Sequence, residues 1–86
     1  MIVRLATPLR SYTATRAAVD AEGATLADLL LDLDRRFPGL RFRIIDEQDR
    51  IRTHIKLFVN QEQVQTLAAP LAAGDEIHIV CALSGG

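Results

Sequence analysis

The chain carries one strongly helical stretch, Thr25-Leu26-Ala27-Asp28-Leu29-Leu30-Leu31-Asp32-Leu33-Asp34-Arg35-Arg36-Phe37. Thr25 followed by Asp28 is typical of a helix N-cap, and Asp28 lies near the positive end of the helix dipole. Apolar residues recur at the spacing of one helix face, at Leu26, Leu29, Leu30, Leu33 and Phe37. This spacing predicts an amphipathic helix that buries one stripe against a core.

The charged residues of this stretch are expected on its solvent side: Asp28, Asp32, Arg35 and Arg36. Acidic residues early and basic residues late suit the helix dipole. The Pro38-Gly39 pair predicts where the helix ends.

Four stretches outside the helix are rich in apolar and β-branched residues and predict strands: 1–5, 16–21, 54–59 and 76–80. In the third of them, alternation points Ile55, Leu57 and Val59 to one face and Lys56 and Phe58 to the other. Between residues 40 and 52 we expect an irregular connection or a short strand, with a turn at 46–49. Residues 60–62 predict a turn, and a loop is expected from there to residue 75.

This order of elements favours one helix covering one face of a small mixed sheet. The first and last strands can pair side by side at its centre, so that the C-terminal tail leaves from the middle of the sheet. The predicted fold class is α+β, with the ubiquitin-like β-grasp arrangement. We expect a single domain over residues 1–82 and a flexible tail over residues 83–86.

Composition excludes several classes of protein. The 86 residues have an ordinary globular composition and a formal net charge of -1, without the clustered basic surface of a nucleic-acid-binding protein. No apolar run is long enough to span a bilayer, so we expect no membrane association and a cytoplasmic location. The two histidines, His54 and His78, fall on separate strands without metal-ligand spacing, so no metal site is expected. The one cysteine, Cys81, is most simply a small hydrophobic residue.

The last two residues are the strongest indication of function. Gly85 and Gly86 place a free carboxylate on a stalk without side chains. Such a stalk can enter a narrow channel that any β-carbon would block. Its carboxylate could then be activated in the active site of another protein, for example by adenylation.

Five short motifs in order give the chain a resemblance to the MoaD/ThiS family of sulfur-carrier proteins. They are Pro8-Leu9-Arg10, Gly23-Ala24-Thr25-Leu26, Phe58-Val59-Asn60-Gln61-Glu62, Leu71-Ala72-Ala73-Gly74-Asp75-Glu76-Ile77 and Ser84-Gly85-Gly86. The long connection over residues 37–54 resembles the cysteine-forming carriers most. The family commonly has proline where this chain has Cys81.

The resemblance implies that the Gly86 carboxylate, presented by Gly85, is the reacting group. It implies adenylation by a ubiquitin-activating-type adenylyltransferase that uses ATP, followed by conversion to a thiocarboxylate by a sulfur donor enzyme. A sulfur-accepting synthase then uses the sulfur to build a cofactor or an amino acid. The carrier itself is expected to bind no cofactor and to be no enzyme.

A surface for these partners is predicted on the sheet face that the helix leaves uncovered. Phe58, His78 and Val80 share the outward parity, and Leu83 and Ser84 would join them from the tail. Within the family, the alternative is a small subunit of molybdopterin synthase. A ubiquitin-like protein modifier, joined to lysine through Gly86, and a plain binding module with an incidental diglycine also stay open.

Overall fold

A five-stranded mixed sheet is the frame of the computed structural model, which describes residues 1–81. The strands are β1 (Ile2–Leu5), β2 (Ala18–Asp20), β3 (Ile55–Val59), β4 (Glu62–Val64) and β5 (Glu76–Cys81). Their order across the sheet is β2-β1-β5-β3-β4. The β1–β5 pair is parallel and the other three pairs are antiparallel. The predicted pairing of the first and last strands is confirmed, and β5 is the middle strand.

Alternation along the central strands separates a buried face from an open one. Six inward-facing residues of the central strands are at most 3% exposed. They are Val3 and Leu5 of β1, Ile77 and Ile79 of β5, and Ile55 and Leu57 of β3. These side chains form a core with the leucines of the helix. The predicted inward parity of Ile55 and Leu57 is confirmed, and Val59 packs at the edge of the core.

The predicted helix is confirmed as α1 (Leu26–Arg36). The Thr25 side chain accepts a hydrogen bond from the Asp28 backbone N–H at 3.3 Å, so the cap forms as expected. Leu26, Leu29, Leu30 and Leu33 are all completely buried. The helix thus contributes four residues of the predicted stripe to the core, and the fifth, Phe37, is its half-buried C-cap.

Asp32 corrects the expectation that all the charged residues of α1 face solvent, because it is only 7% exposed. Its carboxylate accepts the Glu22 backbone N–H at 2.9 Å and Arg36 Nε at 3.0 Å, and it also pairs with Arg35. The segment before α1 folds back over the helix, so that its Glu22 N–H donates to the Asp32 carboxylate. Helical spacing within α1 could not show a partner that comes from outside the helix.

Gly23 lies beside that same segment, against the backbone of the first turn of α1. A β-carbon at Gly23 would come within 2.8 Å of the Asp28 carbonyl carbon and closer still to the Leu29 nitrogen. Glycine is required here for close packing of two backbones rather than for an unusual dihedral angle.

The region after α1 differs from the expectation of an irregular connection or short strand. Gly39, at φ +95°, begins a second short helix, α2 (Leu40–Ile44), whose Leu40 and Ile44 are completely buried. A single bridge between Ile45 and Ile51 closes the turn predicted at 46–49. Strand β4 was also missed, since a loop was expected there.

The connection from β1 to β2 is a 3-10 helix over Thr7–Thr13, against which α2 packs. Arg10 Nε donates to the Leu5 carbonyl oxygen at 3.0 Å and holds this helix on the end of β1. No helix within residues 1–81 has the length and apolar character needed to cross a membrane.

Two adjacent leucines of α1 give a direct test of the core. Leu30 is completely buried and Leu31 is 55% exposed. We expect Leu30→Ala to lower the free energy of unfolding by about 2–5 kcal/mol, because it leaves a cavity. Leu31→Ala, the matched control, should change it by less than about 0.5 kcal/mol. Urea unfolding of both variants measures the difference, and equal losses would contradict the assigned helix face.

A second prediction concerns the buried carboxylate. The Glu22 N–H, helped by Arg35 and Arg36, holds the pKa of Asp32 below its ordinary value of 3.8. A lowered folded-state pKa contributes stability above the unfolded pKa, and this contribution is lost as pH falls through the folded value. The free energy of unfolding of the wild type should therefore decrease as the pH is lowered past about 4. Asp32→Asn should remove part of that decrease.

The measurement is the free energy of urea unfolding as a function of acidic pH. The control is Asp20→Asn, because Asp20 is an exposed residue of β2. This variant should keep the pH dependence of unfolding that the wild type has. An Asp32→Asn profile parallel to that of wild type would show that this carboxylate does not couple folding to protons.

Candidate functional site

The base of the predicted tail is the end of the middle strand. Cys81 is the last described residue, and it lies opposite Ile55 of β3 in the antiparallel register. The predicted site residues of the tail lie outside the described residues: Leu83, Ser84, Gly85 and Gly86. The boundary expected between domain and tail is likewise a prediction. What the structure provides is the surface from which the tail begins.

One surface beside this base is the sheet face away from α1, here called the open face. Three of the five residues predicted to bind partners lie on it together: Phe58, His78 and Val80. In the strand register Phe58 is opposite His78, and His78 is opposite Arg4 of β1. Val80 is opposite Lys56 and is 40% exposed, whereas Phe58 is half-buried. The open face thus presents an apolar pair at the centre of the sheet, next to the tail.

Charges on the open face are paired around Glu76. Arg4 Nε lies 2.7 Å from one of its carboxylate oxygens, and His78 Nε2 lies 3.1 Å from the other. The hydrogen bond to His78, followed by that to Arg4, lowers the pKa of Glu76 from its usual range. Glu76 stays ionised at neutral pH, and Arg4 balances its charge.

Sequence reasoning found only part of this arrangement. The alternation of residues 1–5 already predicted that Arg4 points outward. That alternation could not show which acidic residue Arg4 would pair with. Arg4 and Glu76 are 72 residues apart in the chain, and only the parallel β1–β5 register brings them together. The pairing leaves Phe58 and Val80 as the groups on this face best suited to bury apolar area in a complex.

Two of the motifs that carried the family resemblance meet at the opposite end of the sheet. Asn60 Nδ2 donates to an Asp75 oxygen at 2.8 Å, and Asn60 Oδ1 accepts the Glu76 backbone N–H at 3.0 Å. Asn60 and Gln61 have φ angles of +50° and +75°, as a two-residue hairpin turn requires at both central positions. The other Asp75 oxygen accepts the Ala72 N–H at 2.8 Å. These motifs therefore hold the β3–β4 turn to the start of β5, at the opposite end of that strand from Cys81.

Cys81 behaves as the structural residue that the sequence indicated. It is half-buried and packs against the core, and burial raises the pKa of its thiol. Arg43 of α2 acts in the opposite direction on the same thiol, but its effect is the smaller one. A raised pKa keeps the thiol protonated at neutral pH and disfavours it as a nucleophile.

A groove of about 570 Å³ lies between β3 and the segment that follows β4. Ile55 and Leu67 contribute to its apolar lining, and Arg50, Arg52 and Lys56 line it with charge. Within residues 1–81, no group of three or more histidine, cysteine or acidic side chains is placed to hold a metal ion. The described part of the chain is thus a set of surfaces around the base of the tail.

Comparisons with known proteins agree with this arrangement. The sequence model of the ThiS family matches residues 3–86. The sulfur carrier protein CysO of Mycobacterium tuberculosis is 33% identical, over 98% of this chain and 96% of that protein.

Solved structures give the same result. A chain of the Amycolatopsis orientalis BexX/CysO complex superposes with a TM-score of 0.91 and 32% identity, over 99% of this chain and 98% of that chain. The small archaeal modifier protein 1 of Haloferax volcanii superposes with a TM-score of 0.78 and 29% identity, over 96% of this chain and 97% of that one. The predicted ubiquitin-like β-grasp fold is confirmed by these likenesses, and the chain belongs to the ThiS family, as a homologue of the sulfur carrier CysO.

Proposed function

We propose that this protein carries sulfur as a thiocarboxylate on Gly86 and is the substrate of partner enzymes rather than an enzyme itself. The observation that carries the proposal is the full-length similarity to the sulfur carrier CysO. The strand order adds to it, because the middle strand β5 ends at Cys81, with three residues between it and the diglycine in the sequence. The five residues after Cys81 can span at most about 18 Å, enough to enter an active site in an adjoining protein.

The chemistry begins with activation of the carboxylate. A Gly86 oxygen attacks the α-phosphorus of ATP in the activating enzyme, which forms an acyl adenylate and releases pyrophosphate. Sulfide then adds to the acyl carbon and expels AMP, leaving the thiocarboxylate. If the donor is a persulfide, the product is an acyl disulfide, and a thiol must reduce it to release the thiocarboxylate. The carrier contributes the reacting carboxylate and the surfaces that position it, with no bound cofactor.

Three partners follow from this sequence of steps: a ubiquitin-activating-type adenylyltransferase, a sulfur donor enzyme and a sulfur-accepting synthase. We place them with the carrier in the cytoplasm, where ATP is available. The long connection that resembles cysteine-forming carriers, together with the similarity to CysO, favours an amino-acid product over molybdopterin.

The open face is the surface we assign to the activating enzyme. Phe58 and Val80 lie beside the base of the tail, and Arg4 balances the charge of Glu76. Binding here would bury apolar area and hold the domain while the tail enters the channel. A few central anchors of this kind usually carry most of the affinity of an interface.

A protein modifier is the second candidate, because the small archaeal modifier protein 1 shares the fold at 29% identity. In that case the activated Gly86 would pass to a lysine amine and form an isopeptide bond. Both functions need the same tail and the same activation. They differ in the nucleophile that receives the acyl group.

Removing Gly86 tests the activation chemistry. We expect the truncated protein to melt as wild type does but to give no acyl adenylate with the adenylyltransferase of the same organism. Intact mass after incubation with ATP and sulfide should rise by about 16 Da in wild type, one sulfur for one oxygen, and stay constant in the variant. Higher-mass adducts would instead indicate the modifier function. Equal thiocarboxylate formation by the truncated protein would refute the assignment of Gly86.

Replacing Phe58 tests the partner surface. We expect Phe58→Ala to weaken binding to the adenylyltransferase by about 1–3 kcal/mol, with only a small loss of melting temperature, because the side chain lies outside the core. Titration calorimetry and a thermal melt are the two measurements. Leu31→Ala, an exposed apolar residue on α1, is the control and should bind as wild type does. Unchanged affinity of Phe58→Ala would remove the open face from the interface.

A further inference from the structure

A second surface borders the base of the tail, on the helix side of the sheet. It consists of Phe42, Arg43 and Arg52 and is here called the α2 ridge. Phe42 is 55% exposed, although it is a large aromatic residue. The Arg52 guanidinium carbon lies 4.6 Å from the centre of the Phe42 ring, and Arg52 Nε donates to the Phe42 carbonyl oxygen at 2.8 Å. Stacking and hydrogen bond together hold the exposed ring in place, which lowers the entropy lost when a partner covers it.

Contacts connect this ridge to the tail. Cys81 lies opposite Ile55 in the sheet, and the Ile55 N–H donates to the Arg52 carbonyl oxygen at 2.9 Å. Cys81 shares the inward parity of Ile77 and Ile79 and packs against the core, so its side chain lies on the opposite side of β5 from Phe58 and Val80. Burial raises the pKa of its thiol, and the charge of Arg43 opposes that effect.

The ridge belongs to the basic part of a chain that is acidic overall. Between residues 40 and 56, after the arginines of α1 that pair with Asp32, there are five Lys or Arg and three Asp or Glu, a formal charge of +2 in a chain of net charge -1. Two of these three acidic residues already bind other groups of the chain. Asp49 pairs with Arg41, and Asp46 accepts the backbone N–H groups of Gln48 and Arg50.

The two arginines of the ridge keep positive charge for a partner. Within residues 1–81, neither Arg43 nor Arg52 is in an ion pair, although Arg52 is near enough to Asp46 to lower the pKa of that carboxyl slightly. An exposed aromatic ring stacked on the Arg52 guanidinium, with Arg43 as the next residue of α2, has the composition of an interface anchor, since aromatic residues and arginine are enriched there.

We propose that the α2 ridge binds an acidic rim around the channel of the activating enzyme that receives the tail. The inference rests on the proposed function and extends it. A channel that admits the tail must surround its base, so its rim faces both sides of the sheet. The open face meets that rim through Phe58 and Val80, and the ridge meets it through Phe42 and the two arginines. Charge complementarity makes the ridge side of the rim acidic.

The first test removes the aromatic ring. Phe42→Ala should weaken binding to the adenylyltransferase of the same organism at least fivefold in titration calorimetry. Leu31→Ala is the matched control, since both side chains are 55% exposed on neighbouring helices, and it should bind as wild type does. A thermal melt of each variant checks that the fold is intact. Equal affinities of the two variants would overturn the proposal.

The second test removes charge. Arg43→Gln and the control Gln61→Glu each lower the net charge by one, but Gln61 lies in the turn at the other end of the sheet. Arg43→Gln should reduce the association rate about threefold or more at low ionic strength, and the difference should shrink as salt screens it. Equal rates of the two variants at every salt concentration would contradict an acidic rim.

Two further measurements separate the possible failures. If the ridge variants bind normally while wild type still forms a thiocarboxylate, the ridge proposal fails and the proposed function stands. If the wild-type protein forms no thiocarboxylate, the proposed function fails, and the ridge proposal that rests on it fails with it. A duplex DNA competitor that displaces the enzyme from wild type but not from Arg43→Gln would assign the ridge to nucleic acid and overturn the proposal.

Discussion

The parallel pairing of β1 with β5 is the constraint on which the rest of the structure depends. Four residues of each strand, more than seventy positions apart in the chain, must lie side by side for the core to close. Their inward residues, Val3, Leu5, Ile77 and Ile79, are almost completely buried under α1. Once β5 is in the middle, its end is fixed at the centre of one edge of the domain, and the tail has to begin there.

This arrangement divides the surroundings of the tail into two chemically different sides. On the open face, Glu76 is held between Arg4 and His78, and Val80 lies opposite Lys56. On the helix side, Arg52 stacks on Phe42, and its carbonyl oxygen accepts the N–H of Ile55, the residue opposite Cys81. Under the proposed function, the core holds these two surfaces in a fixed relation to the base of the tail.

Local pattern predicted the parts of the fold that local physics decides. The leucine stripe and the Thr25 cap predicted α1 within one residue, and alternation in residues 54–59 predicted which way Phe58 points. It failed for α2, because five residues are too few to show a helical period and their burial comes from the packing of α1 and the 3-10 helix. It failed for β4, whose polar residues form a strand only because the turn at Asn60 returns them to β3.

The sequence by itself determined the fold class, the core helix, the parity of the central strands and, through five short motifs, the family. Only the tertiary structure decided which residues meet across the chain. It buried Asp32 under the segment before the helix, paired Arg4 with Glu76, and connected the Phe42–Arg52 stack through Ile55 to the end of β5. The physical reason is that periodicity reports only which face of its own helix or strand a residue occupies. A contact between elements depends on register and packing, and these exist only once the whole core has formed.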